Sequence, residues 1–344
     1  MVHLILAFLL VVCSVSAVKF RFMQKSIPRR DFVQRQASNS DELHTLVFAV
    51  KQNNISLLEE QLVQRSMPGN ALYQQWLTFE EVADITKNSA GVQEVISWLN
   101  VNSISTTWTS VRQEYITAEA PISLWEELLN TKFYLYDDLS TLSPTTMTSK
   151  SVHRATQYYL PEHLTEHVSA VFNTVQVPPV IPANYYHPIR DTNPSSTTPT
   201  GSTKRKKTSA TDGTVTVPFL NQLYQISSNT GLASQAQAVF QTLDQSYSPN
   251  DLTLFQQRYN LPIQAALHPF GYNTTQCSYE KCGEGNLDTQ YIMGIAQQTT
   301  TVYWHVPYSS GGTDPFLLWA MQVADTINPP LVHSISWGAV EQVH

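Results

Sequence analysis

Hydrophobic and polar positions fall into blocks along this chain, and the period of the pattern changes from block to block. His44 to Lys51 carries Leu46, Val47, Phe48 and Val50 and predicts a strand. Ser56 to Gln64 repeats apolar residues on one side of a helix, and Phe79–Ile85 and Val92–Leu99 predict two further amphipathic helices. Thr107-Trp108-Thr109 and Glu114-Tyr115-Ile116-Thr117-Ala118 read as paired strands. Pro121 then opens a helix through Leu124, Trp125, Leu128 and Leu129, followed by a strand at Lys132–Tyr136. Such an order predicts an α+β sandwich over residues 42–175. Before it, residues up to about Asp41 are polar and basic, with Arg29-Arg30 among them.

Between Gln176 and Thr214 the periodicity disappears into Pro, Ser, Thr and Gly, so residues 176–214 read as a linker. The run Lys204-Arg205-Lys206-Lys207 inside it is either a solvated charge cluster or an exposed processing site. From Thr216 the pattern becomes α/β. Helices are predicted at Phe219–Ile226, Leu252–Tyr259, Leu287–Ala296 and Phe316–Ala324, with strands at Thr301–Val306 and Leu331–Ser336. Alternation of this kind implies a largely parallel sheet in residues 215–344.

The amino terminus bears on the compartment. Leu4 to Val12 is apolar and Val15-Ser16-Ala17 ends it with small residues, which predicts a signal peptide at 1–17, cut after Ala17. The run is shorter than the roughly 20 residues of a membrane span. Lysosomal delivery and secretion both fit such a leader. Among the three cysteines, Cys13 leaves with the leader, and Cys277 with Cys282 is then expected to form a disulfide in an oxidising compartment. A zinc site would need more ligands than this pair supplies. Asn54-Ile55-Ser56 and Asn273-Thr274-Thr275 have the form of glycosylation acceptors, at Asn54 and Asn273.

Composition narrows the function classes. Of 344 residues, 42% are hydrophobic, enough for sizeable cores, and the net charge of -7 is wrong for a nucleic-acid binder. Charged residues make up 14%, against roughly 25% in average proteins. A surface with few ionised carboxylates loses less on acidification, which suits an acidic medium.

No HExxH helix, Walker loop, GxGxxG or GxSxG elbow occurs. His163 and His167 are four apart in what reads as a helix, but no third metal ligand accompanies them. The informative segment runs from Cys282 to Ile292. Wound as a helix, it points Glu284 and Asp288 the same way as Tyr291, Ile292 and Ile295, with Asn286, Thr289 and Gln290 opposite. Two carboxylates on an inward face are costly unless paired, and neighbouring acids split each other's protonation, which suits acid/base work. Acids in a first helical turn that favour the dipole are the alternative. The second segment, Val332-His333-Ser334-Ile335-Ser336-Trp337-Gly338, is a strand ending in glycine. Its edge can take an extended peptide by main-chain hydrogen bonds, or it is an ordinary buried strand.

At these segments the chain resembles the sedolisin (serine-carboxyl peptidase) family, most of all its tripeptidyl-peptidase and fungal branches. Gly283-Glu284, Asn286-Leu287-Asp288 and Gln290-Tyr291 resemble that family's Glu/Asp helix, and Ser334-Ile335-Ser336-Trp337-Gly338 its substrate-cleft strand. Tyr247-Ser248-Pro249-Asn250-Asp251-Leu252, with Phe255 and Tyr259, resembles its early catalytic-domain pattern. Upstream, Trp76-Leu77-Thr78, Glu114–Ala118 with Ala120-Pro121, and Leu160-Pro161-Glu162-His163-Leu164 resemble its activation prodomain.

The resemblance implies a ferredoxin-like α+β prodomain that covers the cleft and is removed on acidification. A subtilisin-like α/β catalytic domain follows it, here its N-terminal part only. Glu284 would be the general base that takes the serine proton, Asp288 its support, and Ser336, Trp337 and Gly338 would bind substrate. Cleavage of peptides or unfolded proteins would pass through an acyl-enzyme. The family's oxyanion aspartate, nucleophilic serine and calcium site lie in stretches not matched before His344. A truncated chain without turnover of its own is therefore expected, with no cofactor in these residues and calcium in the missing part. Two other readings are a secreted, catalytically dead product whose prodomain inhibits related peptidases, and a binding module without proteolytic ancestry. No membrane partner is expected after signal removal.

Overall fold

The computed structural model describes residues 18–139, 150–178, 215–242, 245–270, 277–307 and 312–337. The expected signal peptide, the basic run at 204–207, Asn273 and Gly338 lie outside them. Residues divide into two compact units, Met1–Gln176 and Val177–His344.

The first unit is built on an antiparallel sheet. Strand β1 (Phe20–Lys25) and β2 (Phe32–Ala37) occur in the polar stretch where the pattern predicted no element, and β3 (Leu43–Val50) follows. Then come α1 (Ile55–Ser66), α2 (Phe79–Thr86), α3 (Ser89–Val101), β4 (Thr106–Thr109), β5 (Tyr115–Pro121), α4 (Ile122–Leu128) and β6 (Phe133–Asp138). Three further strands complete it: β7 (Lys150–Ala155), β8 (Gln157–Pro161) and β9 (Val168–Phe172). The main sheet has the order β4-β5-β3-β9, with all neighbours antiparallel. A second sheet runs β2-β6-β7, and β1 pairs with β8.

Strand alternation explains the core. Leu46, Phe48 and Val50 of β3 and Ile116, Ala118 and Ala120 of β5 face one side and bury against Val95 and Leu99 of α3 and Trp125 of α4. Helix starts follow local chemistry: Thr78 caps α2 in a reciprocal capping box with Glu81, and the Asn88 side chain accepts from the Gly91 amide at 2.9 Å. The expected helix carrying His163 and His167 is corrected. His163 sits in a 3-10 turn, Glu162–Leu164, and His167 precedes β9, because Pro161 ends β8 and Leu164 turns fully into the core.

The second unit contains α5 (Val217–Leu223), β10 (Ala236–Thr242), α6 (Pro249–Arg258), α7 (Tyr279–Ile295), β11 (Thr300–Val306), α8 (Pro315–Asp325) and β12 (Val332–Ile335). Its sheet is parallel, in the order β11-β10-β12. The pattern predicted the helices and the outer two strands but not β10. That strand reads Ala-Gln-Ala-Val-Phe-Gln-Thr, and its polar Gln237 and Gln241 are both buried. Gln237 is satisfied inside, donating to Thr301 Oγ1 at 3.0 Å, so a buried strand here breaks the apolar rule.

Candidate active site

Helix α7 carries both candidate carboxylates, and small residues let it press onto its neighbours. A Cβ on Gly285 would lie 2.1 Å from the Ser246 carbonyl oxygen and 2.9 Å from the Tyr303 hydroxyl. The most deeply buried stripe of the helix is therefore Cys282, Gly285, Thr289 and Met293. This corrects the expected inward face: Thr289, placed opposite the acids by hydropathy, is fully buried, while Leu287 is exposed. Closeness of approach, set by glycine and threonine, outranked apolar character. Glu284 is nevertheless buried, at 8% exposure, and Asp288 is half-buried on the flank of the stripe.

Around α7 the quoted motifs acquire structural work. Ser248 caps α6 by accepting from the Asp251 amide at 3.1 Å. Asn286 accepts from the Ser248 amide at 2.8 Å and donates to Asp251 Oδ2 at 2.9 Å, tying α6 to α7. Cys277 and Cys282 are joined by a disulfide that closes the chain onto the first turn of α7.

The carboxyl ends of the parallel strands meet these acids. Gln241, fully buried near the end of β10, donates through Nε2 to Asp288 Oδ2 at 2.8 Å. Its Oε1 accepts from Trp337 Nε1 at 3.2 Å. Ser336 also hydrogen-bonds the Asp288 carboxylate. Burial pushes Asp288 up to about 6, and the Glu284 charge adds to that; the Ser336 and Gln241 hydrogen bonds pull the other way. Tyr303 of β11, fully buried against Tyr247, has its phenol pushed well above the usual range by burial and then by Asp288.

The strand order reverses between β10 and β12, and open α/β sheets take ligands outside the carboxyl ends of their strands at such a point. Ser336 and Trp337 follow β12 there. Among the described residues β12 is an edge strand, paired only with β10. The fold thus gathers Glu284, Asp288, Ser336 and Trp337, and adds Gln241 and Tyr303, which periodicity did not single out. A buried glutamine closing a short Ala-Val-Phe run was the available signal for Gln241.

The other expected residues lie elsewhere. Asn54 is exposed at the start of α1 with a left-handed φ of 51°, and its amide donates to the Ile85 carbonyl at 3.0 Å. Among the described residues no group of three or more His, Cys, Asp or Glu gathers as a metal site. No helix among them is long and apolar enough to cross a membrane.

In sequence, a compact α+β unit thus precedes an α/β unit whose α7 acids lie by the carboxyl ends of its parallel strands. Residues 30–177 match the Pro-kumamolisin activation domain. The chain is 27% identical over 318 residues to tripeptidyl-peptidase 1 of Homo sapiens, covering 88% of this chain and 51% of that protein. It is 26% identical over 334 residues to tripeptidyl-peptidase 1 of Dictyostelium discoideum, covering 85% and 51%. Physarolisin of Physarum polycephalum is 27% identical over 315 residues, covering 90% and 48%. The match to the Pro-kumamolisin activation domain, together with the similarity to these tripeptidyl-peptidases and to physarolisin, supports a sedolisin-family proenzyme. It spans about half the length of the curated relatives it matches.

Proposed function

We propose that this chain supplies the activation domain and the carboxylate half of the catalytic site of an acid serine-carboxyl peptidase acting on peptides or unfolded proteins. The observation that carries this reading is the half-buried Asp288 beside the buried Glu284, bound to Gln241 and Ser336 where β10 and β12 end. In such a pair one proton is held over an acidic range, so one carboxylate stays free to act as base. Glu284 takes the proton of a serine hydroxyl, and Asp288, neutral below about 6, supports it. Gln241 and Trp337 orient Asp288. The edge of β12 that has no strand partner among the described residues, with Ser336, Trp337 and Gly338, receives the extended substrate.

The nucleophile is assigned to no serine of residues 1–344, so the chain by itself is proposed to be inactive. The order β4-β5-β3-β9 supports a ferredoxin-like activation domain, and the parallel sheet with flanking helices supports a subtilisin-like second domain. Residues 1–17, 42–175, 176–214 and 215–344 are read as signal peptide, activation domain, linker and peptidase part. Synthesis in the secretory pathway, toward lysosome or exterior, is part of this reading, as is glycosylation at Asn54 and Asn273. Calcium, if the holoprotein binds it, is assigned to no residue of this chain.

The test is a chimera in which this chain is continued by the remainder of human tripeptidyl-peptidase 1. Acid-dependent peptide hydrolysis is expected, and Glu284→Gln should reduce kcat by about 10²–10⁴-fold. A folded Glu284→Gln chimera within threefold of the parent would remove Glu284 as the base. The compactness of the first unit favours a second reading, a chain whose activation domain inhibits related peptidases. Added in trans to human tripeptidyl-peptidase 1, the chain should then inhibit at micromolar concentration, and absence of inhibition sinks this reading.

A further inference from the structure

His44 sits at the seam between two sheets of the activation domain. It belongs to β3 of the four-stranded sheet and is 6% exposed. Its ring meets Phe133 of β6 at 5.2 Å and His153 of β7 at 5.6 Å, both from the three-stranded sheet. The Nε2 atom lies 2.8 Å from the Asn173 carbonyl oxygen. A carbonyl only accepts, so Nε2 carries the proton and the neutral ring has its lone pair on Nδ1.

The segment that His44 grips is the exit from this domain. Asn173 donates back to the Thr45 carbonyl at 3.1 Å, and the Ala155 amide donates to the Thr174 carbonyl at 2.7 Å. Arg154, 1% exposed, donates through Nε to the Gln176 carbonyl and through Nη1 to the His153 carbonyl at 2.7 Å. Asn173–Gln176 is thus fastened to β3 by His44 and to β7 by Arg154 and Ala155. The stretch that begins at Val177 follows directly.

A second proton on His44 would place a cation in this seam beside Arg154. Among the described residues, the carboxylate that α4 brings toward Phe133, Glu126, is already engaged by the Phe133 amide at 2.9 Å and by Lys132. Helix α4 brings Trp125, whose Nε1 donates to the His44 carbonyl at 2.8 Å; β5 brings Ala120, and β6 the Phe133 ring. Strand β7 brings His153 and Arg154, and the adjacent carboxylate, Glu42, lies 3.2 Å from His153 Nε2. Burial, and then Arg154, hold His44 down at about 3, with the Asn173 carbonyl opposing.

We propose that His44, with Arg154 and His153, is an acid-sensitive latch: protonation of His44 opens the seam and frees the exit segment Asn173–Gln176. The unfolded or opened segment binds the proton near 6.5 and the closed one does not, so the closed state is fully favoured above that pH and loses ground as pH falls toward 3. Each pH unit in that window shifts the opening equilibrium about tenfold, or about 100-fold between neutrality and pH 4.5. The latch belongs to the activation domain and stands whether or not the peptidase reading holds.

The test is hydrogen exchange by mass spectrometry on the intact chain at pH 7.5 and 4.5, with rates corrected for intrinsic exchange chemistry. Peptides spanning 150–160 and 168–177 should lose about 100-fold protection at pH 4.5. His44→Gln keeps an amide donor for Asn173 but does not titrate, and should lose most of that pH dependence. Retained wild-type protection, or the same loss in a folded His44→Gln variant, overturns the latch. If His44→Gln does not fold, imidazole NMR of the wild-type chain decides: a neutral His44 ring in the closed domain at pH 5 supports the proposal, and a charged one overturns it.

Discussion

Replacing Asp288 with asparagine isolates the electrostatic cost built into the candidate active site. The carboxyl rises from 3.8 to about 6, chiefly through burial and then through Glu284. The folded chain therefore holds this proton to higher pH than the unfolded chain does. The stabilisation is complete below pH 3.8, is lost progressively up to about 6, and is absent above that. At about 1.36 kcal/mol per unit, the difference amounts to about 3 kcal/mol between acid and neutral pH. Asparagine cannot ionise, yet its Oδ1 can still accept from Gln241. Asp288→Asn should match wild type at pH 3.5 and exceed it at pH 7.5, by up to about 6–12 °C in Tm for a unit of this size. Calorimetry or urea unfolding at both pH values gives the comparison. An equal Tm at pH 7.5, or the same gain at both pH values, would refute the idea that ionisation of this group strains the fold. Glu284 supplies part of the shift, so Glu284→Gln and Asp288→Asn combined should gain less than their sum.

Two further outcomes follow from packing around α7. Gly285→Ala should destabilise the second unit by about 1–3 kcal/mol, because its Cβ meets the rigid Ser246 carbonyl at 2.1 Å; an unchanged melting temperature would contradict that close approach. Cys277→Ser should cost about 2 kcal/mol, the loop-closure entropy of so short a ring, and a reducing agent should lower the wild-type Tm to match; no effect of either would show that the bond does not tether α7.

Much of this protein was legible where one local rule governed. The alternation in β3 and β5 depends on residues close in sequence, so the pattern pointed to those strands, and the Cys277–Cys282 pair lies five residues apart in a chain whose leader implies an oxidising compartment. Legibility failed where long-range contacts replaced local pattern. Strands β1 and β2 lie in a polar stretch because β8 and β6 supply their backbone partners, and only pairing with segments about a hundred residues away or more makes them strands. His163 and His167 have helical spacing, yet Pro161 and the buried Leu164 hold that stretch in a tight turn.

The candidate site divides along the same line. Sequence by itself determined that Glu284 and Asp288 share one side of a helix, since four residues make about one turn. It also set Ser336 and Trp337 at the end of a strand. Which side of that helix is buried was decided by the tertiary structure, because Gly285 and Thr289 permit an approach that bulkier apolar residues would block. Tertiary structure alone also brought Gln241 to Asp288, 47 residues away, and Trp337 to Gln241, 96 residues away. The physical reason is that a carboxyl acquires its chemistry from burial and neighbours, and parallel strands collect those neighbours from distant parts of the chain at one edge of the sheet.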